Sequence, residues 1–398
     1  MTAETVPETP VDWRSVAAVT AGISILSAMI GLTYPLIAFN LNRWGVSPTM
    51  IGFNAAMTGL GLMLAGWVIP SVIVRIGLKR TAILCISATT AVFALYPLFP
   101  GLVPWFPIRL AHGFVSSGIF IICDTWINHL APSRLRGRII GIYATVFALG
   151  FAVGPAILTV TGSEGWPPYI AGIAIGFIAL FGILPAREVG DFDEGSGGSG
   201  SSIARFILVA PALLVAILGF GIFESGLLSL LPIYLLGFGH GETTVSILLA
   251  TFIVGSAMLQ IPVGMLADRL RGRTVFLGCV ALSVAAPALL PVLAANGAAL
   301  AVHFFLWGGV AFGIYTLSMK ELGDRFTGRM LVTGNAAFAM AWSMGNLTGP
   351  VASGGLIAVT GLGGLPLFLG AAFLPALLVA AIRTAIRGKG GGESEDAR

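Results

Sequence analysis

The residues of this sequence that could do chemistry are a few ionisable side chains inside long apolar runs. Glu224 lies near the middle of one run, and Arg109, His112 and Asp124 share another. A charged side chain in a hydrocarbon interior is costly, so such residues are by default candidates for ion coupling or substrate binding. We therefore expect these four side chains to be functional.

Glu224 is the first candidate, because a carboxyl group that faces each side of a membrane in turn can carry a proton. The alternative for Glu224 is a neutral carboxyl that bridges two helices through hydrogen bonds. Asp124 could instead pair with Arg134 or Arg136, which follow the same run.

Six polar residues around Asp124 fall on one face of a helix at about 100° per residue. We expect this face to point toward a central cavity or a neighbouring helix. Arg109 could alternatively extend its charge to the interface, and His112 could be a structural residue. A later run adds Asn335, Trp342 and Asn346, either as cavity-lining or as structural residues. The six residues of the first face are Arg109, His112, Ser116, Ser117, Asp124 and Asn128.

Composition places most side chains of this chain in lipid. The sequence is 57% hydrophobic and 10% charged, against about 25% charge in soluble domains, and its mean hydropathy is +0.96. Basic residues form no cluster with interleaved aromatic residues, so no nucleic-acid partner is expected. The three cysteines have no metal-ligand spacing and the chain has no P-loop, so neither a metal nor another cofactor is expected.

Twelve apolar runs are long enough to cross a membrane as helices, since a span needs roughly 20 residues. They form two sets of six around a polar stretch from Glu188 to Ser202. We predict a tail at 1–14, a six-helix bundle at 15–187, a linker at 188–204, a second six-helix bundle at 205–387 and a tail at 388–398. The runs are 16–39, 49–73, 81–99, 102–130, 139–161, 168–187, 207–236, 243–267, 274–294, 298–320, 330–359 and 364–386.

The positions of Lys and Arg predict how the chain is oriented, because cytoplasmic loops carry the excess of positive charge. With the N-terminus in the cytoplasm, all but Arg43 and Arg109 of the 21 Lys and Arg residues fall in cytoplasmic segments. We therefore expect both termini and the linker in the cytoplasm, and the protein in a cell (inner) membrane.

The two sets of runs repeat each other, which indicates a duplicated unit. Arg80-Thr81 followed by Cys85 is matched by Arg273-Thr274 followed by Cys279. Small residues four apart let helix backbones approach closely in lipid, so a second matched pair of motifs is expected at helix contacts. These motifs are Gly150-x-x-x-Gly154-Pro155 and Gly345-x-x-x-Gly349-Pro350.

Twelve spans in a six-plus-six repeat around a cytoplasmic linker resemble the major facilitator superfamily. The segment Gly264-Met-Leu-Ala-Asp268-Arg269, followed by Arg271-Gly272-Arg273, resembles its loop signature G-x-x-x-D-R-x-G-R with one extra residue. Arg109-x-x-His112-Gly113 resembles its R-x-x-Q-G motif, and the Gly150 motif resembles its antiporter motif without the closing glycines. The pattern around Asp124-Thr-Trp126 is most similar to the YcaD-type branch. The resemblance implies an all-α membrane protein of two pseudo-symmetric six-helix bundles that is not an enzyme.

The loop signature predicts a cytoplasmic gate. By pseudo-symmetry Asp268 should face the start of the fifth helix near Ile139, where a carboxylate is favourable by roughly 0.3–1 kcal/mol. The first-half loop carries Val74 in place of the acid, so the gate should be lopsided. The alternative is an exposed acid that only ends a helix. The expected gate residues are Asp268, Arg269, Arg273, Arg134, Arg136, Arg138 and Arg75.

These features predict a proton-coupled secondary transporter of a small molecule, in which two halves rock about a mid-membrane site. The partial antiporter motif favours efflux of an apolar or amphipathic molecule. Uptake by symport stays open, as does a transporter-like protein that acts as a sensor or assembly partner. We expect a monomer in the lipid bilayer whose partners are a small-molecule substrate and protons.

Overall fold

The chain folds into helices joined by short loops in the computed structural model, which describes residues 12–131, 135–188 and 206–379. Most of the predicted linker and of both predicted tails lies outside these ranges. Twelve of the described helices each coincide with one predicted apolar run. They are α1 (Trp13–Arg43), α2 (Pro48–Ile76), α3 (Leu78–Leu98), α4 (Leu102–Leu130), α5 (Arg136–Thr161), α6 (Pro167–Ile183), α7 (Pro211–Gly237), α8 (Glu242–Arg269), α9 (Gly272–Leu293), α10 (Gly297–Arg325), α11 (Gly328–Thr360) and α12 (Gly364–Val379).

Most of these helices can cross a membrane by their length and composition. Among the described residues, nine meet both conditions, and α6 and α12 are apolar but shorter. The helix α11 is 33 residues long but is rich in Gly, Ser, Thr and Asn, which lowers its hydropathy. The prediction of an all-α membrane protein with twelve helices is confirmed.

Proline accounts for two departures from the predicted runs. The run 207–236 is divided at Ala210, and α7 begins at Pro211, because proline lacks a backbone N–H and fits the first turn of a helix. Within α9, a 3₁₀ turn at Ala286–Leu289 carries Pro287, which cannot donate the hydrogen bond that an α-helix needs there. Pro35, Pro70 and Pro232 instead lie inside continuous helices.

The twelve helices form two six-helix bundles, the N-half (α1–α6) and the C-half (α7–α12), which pack by the same scheme. In the N-half α1 packs on α5 and α2 packs on α4, while in the C-half α7 packs on α11 and α8 packs on α10. Between the halves, α2 packs on α11 and α5 packs on α8. Each contact in one half therefore has a counterpart in the other, as expected for a duplicated unit.

A serine and a glycine motif repeat at the same place in both halves. Ser27 Oγ of α1 donates to the carbonyl oxygen of Phe147 in α5 at 2.9 Å, and Ser225 Oγ of α7 donates to that of Gly345 in α11 at 3.2 Å. At these contacts, a methyl group on any of four glycines would overlap backbone atoms of the facing helix, so only glycine permits so close an approach. The four are Gly150 and Gly154, which face α1, and Gly345 and Gly349, which face α7. Pro155 and Pro350 follow these motifs inside α5 and α11.

The bundle has two ends that differ in their loops. The linker end carries residue 12, the α2–α3 and α4–α5 loops, residues 184–188 and the α8–α9 and α10–α11 loops. The opposite end carries the α1–α2, α3–α4, α5–α6, α7–α8, α9–α10 and α11–α12 loops. Because successive helices alternate in direction, every loop of one half lies at the same end as its counterpart in the other half.

Candidate functional site

A cavity of about 140 Å³ lies between the two halves near the middle of the helices, and it is called the central cavity below. Helices from both halves supply its walls, and most of the lining is aromatic or aliphatic. Such a mixture of apolar walls and a few polar groups is typical of sites for small molecules. Its aromatic residues are Tyr34, Phe120, Phe147, Phe151, Phe252, Phe312 and Trp342, and its polar residues with charged, hydroxyl or amide groups are Thr58, Ser116, Ser117, Glu224, Ser256 and Asn346.

Glu224 is the acidic residue of the central cavity. Its Oε2 accepts a hydrogen bond of 2.7 Å from the indole Nε1 of Trp342. Asn346 lies one turn further along α11, and its Nδ2 donates to the Trp342 carbonyl oxygen at 3.0 Å. In the described part of the chain, Glu224 takes part in none of the salt bridges. Three residues that the sequence selected therefore line one cavity, and Trp342 is the hydrogen-bond donor to the Glu224 carboxylate.

Asn335 does not reach the central cavity. It is exposed and lies about two helical turns from Trp342 along α11, toward the linker end. The sequence selected it because polar residues are rare in apolar runs, but periodicity along a long helix does not say which level meets the cavity.

Arg109 and His112 lie behind the wall of the central cavity, inside the N-half. Both are buried, at 3% and 4% exposure. The Arg109 Nε donates to Thr58 Oγ1 at 3.1 Å, and its guanidinium carbon lies 5.8 Å from the centre of the Tyr34 ring. The His112 ring packs on Tyr96 of α3, with ring centres 5.9 Å apart. The polar face of α4 is therefore divided. Arg109 and His112 are buried between helices of the N-half, whereas Ser116 and Ser117 line the central cavity.

Asp124 lies closer to the linker end, about two turns beyond Ser116 along α4. Its side chain is exposed, and its Oδ1 accepts a hydrogen bond of 2.7 Å from the hydroxyl of Tyr143 in α5. Tyr143 was not among the predicted site residues, because a tyrosine in an apolar run is uncharged and does not stand out as a functional side chain. The predicted pairing of Asp124 with Arg134 or Arg136 stays a prediction. Arg134 lies outside the described residues, and the structure describes only the backbone of Arg136.

Two ion pairs at the linker end lie within the C-half. Asp268, at the end of α8, accepts a hydrogen bond from Lys320 of α10, a residue that the sequence analysis did not select. Arg325 Nη1 lies 2.9 Å from Glu321 Oε1 one turn earlier. The other described residues of the expected gate are exposed at this end, namely Arg75, Arg138, Arg269 and Arg273. A contact of Asp268 with the start of α5 stays a prediction.

A polar cluster at the opposite end joins the two halves, and it is called the Arg43 cluster below. Arg43 Nη2, at the end of α1, lies 2.6 Å from Glu242 Oε1, at the start of α8. The same nitrogen donates to Ser163 Oγ at 2.8 Å, and Ser163 Oγ donates to Glu242. Arg43 Nε also lies 3.2 Å from Glu164 Oε1. The position of Arg43 as a basic residue outside the positive loops was a signal for this cluster, but its partner could not be read from the sequence.

Relatives with similar sequences cover most of the chain. The model of the Major Facilitator Superfamily matches residues 16–246 and 213–397. The MFS-type transporter YfkF of Bacillus subtilis is 25% identical over 338 residues, which are 83% of this chain and 86% of YfkF. The MFS-type transporter YcaD of Escherichia coli is 24% identical over 345 residues, which are 85% of this chain and 87% of YcaD.

Solved structures of other transporters share the fold of this chain. A bacterial homologue of the human lysosomal transporter Spinster, in an inward-facing and unoccupied conformation, has a TM-score of 0.71 and 16% identity, and the match covers 94% of this chain and 96% of that one. The nucleoside transporter NupG has a TM-score of 0.76 and 12% identity, and the match covers 92% of this chain and 98% of that one. With two duplicated six-helix bundles around a central cavity, and a family model that matches nearly its whole length, the chain belongs to the major facilitator superfamily as a multi-pass membrane transporter related to the YcaD branch.

Proposed function

We propose that this transporter couples the movement of a small molecule to protons, and that Glu224 carries the coupling proton. The supporting observation is the geometry of its carboxylate, which faces a cavity between the halves and has one indole donor but no salt-bridge partner among the described residues. A lone acid at such a depth can bind a proton from one side and release it to the other as access changes.

The lining of the central cavity supports a substrate that is apolar or amphipathic. Seven aromatic rings face the cavity, and Glu224 is the only Asp, Glu, Lys or Arg among its described lining residues. A substrate with several charges would need more charged partners there, because buried charges must be paired. Together with the partial antiporter motif of α5, this favours efflux by antiport over uptake by symport.

Alternating access is supported by where the halves are joined. At the opposite end the Arg43 cluster ties α1 to α8, across the halves. At the linker end, Asp268 pairs with Lys320 inside the C-half. We infer a conformation closed at the opposite end, and we assign the linker end to the cytoplasm because it carries nearly all positive charge. The conversion to the other state exchanges the contacts of the Arg43 cluster for contacts between the halves at the linker end, where Asp268 would meet the start of α5 near Arg138. We place the protein in the cell (inner) membrane as a monomer.

The proposal is tested by flux in proteoliposomes with an imposed pH gradient over a panel of amphipathic compounds. Glu224→Gln keeps an oxygen that can accept the Trp342 hydrogen bond but cannot carry a proton. We expect gradient-driven flux to fall to background in this variant. The matched control is Glu321→Gln, which removes a carboxylate at the linker end, outside the cavity, and should leave the flux unchanged.

Three other outcomes each lead to a different conclusion. Flux of the compound in the same direction as the protons would replace antiport by symport. Equal gradient-driven flux in wild type and Glu224→Gln would refute the role of Glu224. A protein that binds compounds but neither moves them nor dissipates the gradient would favour a sensor over a transporter.

A further inference from the structure

Of the five buried side-chain atoms in the described N-half that lack hydrogen-bond partners, four belong to residues near the buried guanidinium of Arg109. They are the two amide atoms of Asn54, the hydroxyl of Tyr96 and the Nε2 of His112. Asn54 and Tyr96 are fully buried and His112 is 4% exposed. An unpaired buried polar group destabilises the folded state, so several at one place call for a ligand or ordered water.

Contacts between rings and helices place these groups together around Arg109. The Tyr96 and His112 rings are in contact, and the guanidinium carbon of Arg109 lies 5.8 Å from the centre of the Tyr34 ring. On α2, Thr58 holds the Arg109 Nε, and Asn54 lies one turn before Thr58.

The direction of Asn54 follows from the helical wheel of α2. At about 100° per residue, Asn54 falls between Thr58 and Gly61. Both of these residues face α4, since Thr58 accepts a hydrogen bond from Arg109, and a methyl group added at Gly61 would overlap backbone atoms of Leu110 and Gly113. Asn54 therefore points between α2 and α4, at the level of Arg109. The resulting site is called the Arg109 pocket and consists of Tyr34, Asn54, Thr58, Tyr96, Arg109 and His112.

The charge of the Arg109 pocket is positive and unbalanced. Arg109 takes part in no salt bridge of the described chain, and an uncompensated charge in a protein interior is strongly unfavourable. The unpaired groups of the pocket include three that can donate: the Tyr96 hydroxyl, the Asn54 amide NH₂ and the His112 Nε2. A ligand that balances the charge of Arg109 and also accepts hydrogen bonds from these donors must be an anion.

We propose that the Arg109 pocket binds one small monovalent anion of halide size as the counter-ion of Arg109. Asn54 and Tyr96 are fully buried, so the ion is enclosed between packed helices, and we infer that it is a single atom and not the anionic group of a larger solute. Tyr34 and Thr58 belong to both this pocket and the wall of the central cavity, which gives the ion a route of entry. The ion fixes α2, α3 and α4 to one another and so makes the N-half rigid.

The carboxylate of Glu224 is the rival counter-charge, since it lies on the cavity side of Tyr34. The two explanations differ in what the Glu224→Gln variant does. If the anion balances Arg109, removal of the Glu224 charge leaves anion binding in place. If Glu224 balances Arg109, anion binding appears only after the charge of Glu224 has been removed.

The test is the melting temperature of the full-length purified protein in sodium chloride and in sodium gluconate at matched ionic strength. We expect a saturable rise with chloride in wild type and in Glu224→Gln, since a ligand that binds only the folded state stabilises it. Asn54→Leu removes the unpaired amide from the pocket without deleting the charge of Arg109. This variant should bind chloride about tenfold more weakly or worse, whereas Arg109→Gln should lose the response.

Asn128→Leu is the matched control, because it makes the same change on α4 at an exposed position near the linker end. It should keep the chloride response of wild type. A crystal grown in bromide should show one anomalous peak beside Arg109. Equal melting temperatures in chloride and gluconate, an unchanged chloride affinity in Asn54→Leu, or water alone at the site would each overturn the proposal.

Discussion

The N-half and the C-half share one packing frame but place opposite charges in it. In the N-half a guanidinium, Arg109, is buried between α2 and α4, whereas in the C-half a carboxylate, Glu224, faces the central cavity. The frame itself rests on serine and glycine contacts that carry no charge. Duplication thus preserved the contacts that hold helices together and left the ionisable positions free to diverge.

The shared frame predicts that the two halves respond alike to a clash at the glycine motifs. Gly150→Val and Gly349→Val each place a side chain where a methyl group already overlaps the facing helix. We expect each to destabilise the protein by more than about 3 kcal/mol, seen as a loss of monodisperse protein and a lower melting temperature.

The controls for the glycine variants lie on the same two helices. Gly141 of α5 and Gly355 of α11 have no packing atom within 4 Å of an added methyl group. Gly141→Val and Gly355→Val should stay within about 1 kcal/mol of the parent. If only one of the two motif variants loses stability, the close helix contacts at the glycine motifs do not stabilise the two halves in the same way.

The two ends of the bundle differ in whether their ion pairs cross the halves, and the Arg43 cluster tests this difference. Arg43→Gln removes the charge that joins α1 to α8, so the opposite end should open more often. A partly exposed ion pair contributes up to about 1 kcal/mol, which corresponds to a several-fold change in population. The measurement is the rate at which an impermeant maleimide, added from the opposite end, labels Ser117→Cys in the central cavity.

The matched control for Arg43 is Arg325→Gln, which breaks a pair with Glu321 inside one half. Labelling from the opposite end should then be unchanged. The three native cysteines are buried and give a low background. An unchanged labelling rate in Arg43→Gln would show that the cluster does not hold the opposite end closed.

A smaller effect is expected at the linker end, where the two halves differ in one loop residue. Asp268 is two-thirds exposed and pairs with Lys320, and the N-half has Val74 at the corresponding position. Asp268→Asn should weaken closure of the linker end and raise labelling of Ser117→Cys from that side by about twofold. Val74→Asn is the control, because it introduces the same amide at the corresponding position of the N-half without removing a carboxylate, and it should leave the labelling rate unchanged. Equal labelling of Asp268→Asn and wild type would leave Asp268 as an acid that only ends α8.

The smallest expected effect is on the stability of the first turn of α1, which differs from α7 in how its N-terminus is capped. Asp12 caps α1 by accepting hydrogen bonds from the Ser15 backbone N–H at 3.1 Å and the Ser15 hydroxyl at 2.8 Å, while α7 begins without a side-chain cap. The Ser15 side chain and then its backbone N–H lower the pKa of Asp12 below 3.8. A lowered folded-state pKa means that the contribution of the cap is present above about pH 4 and is lost as the pH falls through the folded value.

Hydrogen exchange at the Ser15 amide measures this cap. Protection should fall at low pH in wild type and be low at every pH in Asp12→Ala. Asp12→Asn caps a helix nearly as well without titrating, so its protection should not depend on pH in this range beyond the intrinsic exchange rate. The same pH profile in Asp12→Asn and wild type would assign the change to another group.

Part of the candidate site was predictable from the sequence because an acid in an apolar run is conspicuous. Glu224 was selected on that ground, and Trp342 and Asn346 were selected as possible cavity-lining residues of a later run; all three lie at the central cavity. Asn335 was selected by the same reasoning but lies away from it. The partner of Arg43 was missed, because Glu242 lies in the other half of the chain and neither residue stands in an apolar run.

The sequence by itself determined that the chain lies in a membrane, how many helices it forms and that its two halves repeat. The first two properties depend on hydropathy within segments of about 20 residues, and the third follows from comparing the order of motifs in the two halves. Only the tertiary structure decided which polar side chains meet. It places Glu224 in the central cavity, Arg109 behind the cavity wall and Arg43 of the N-half against Glu242 of the C-half. Those meetings depend on how distant helices pack and at which level each one faces its neighbour, and local composition does not encode that geometry.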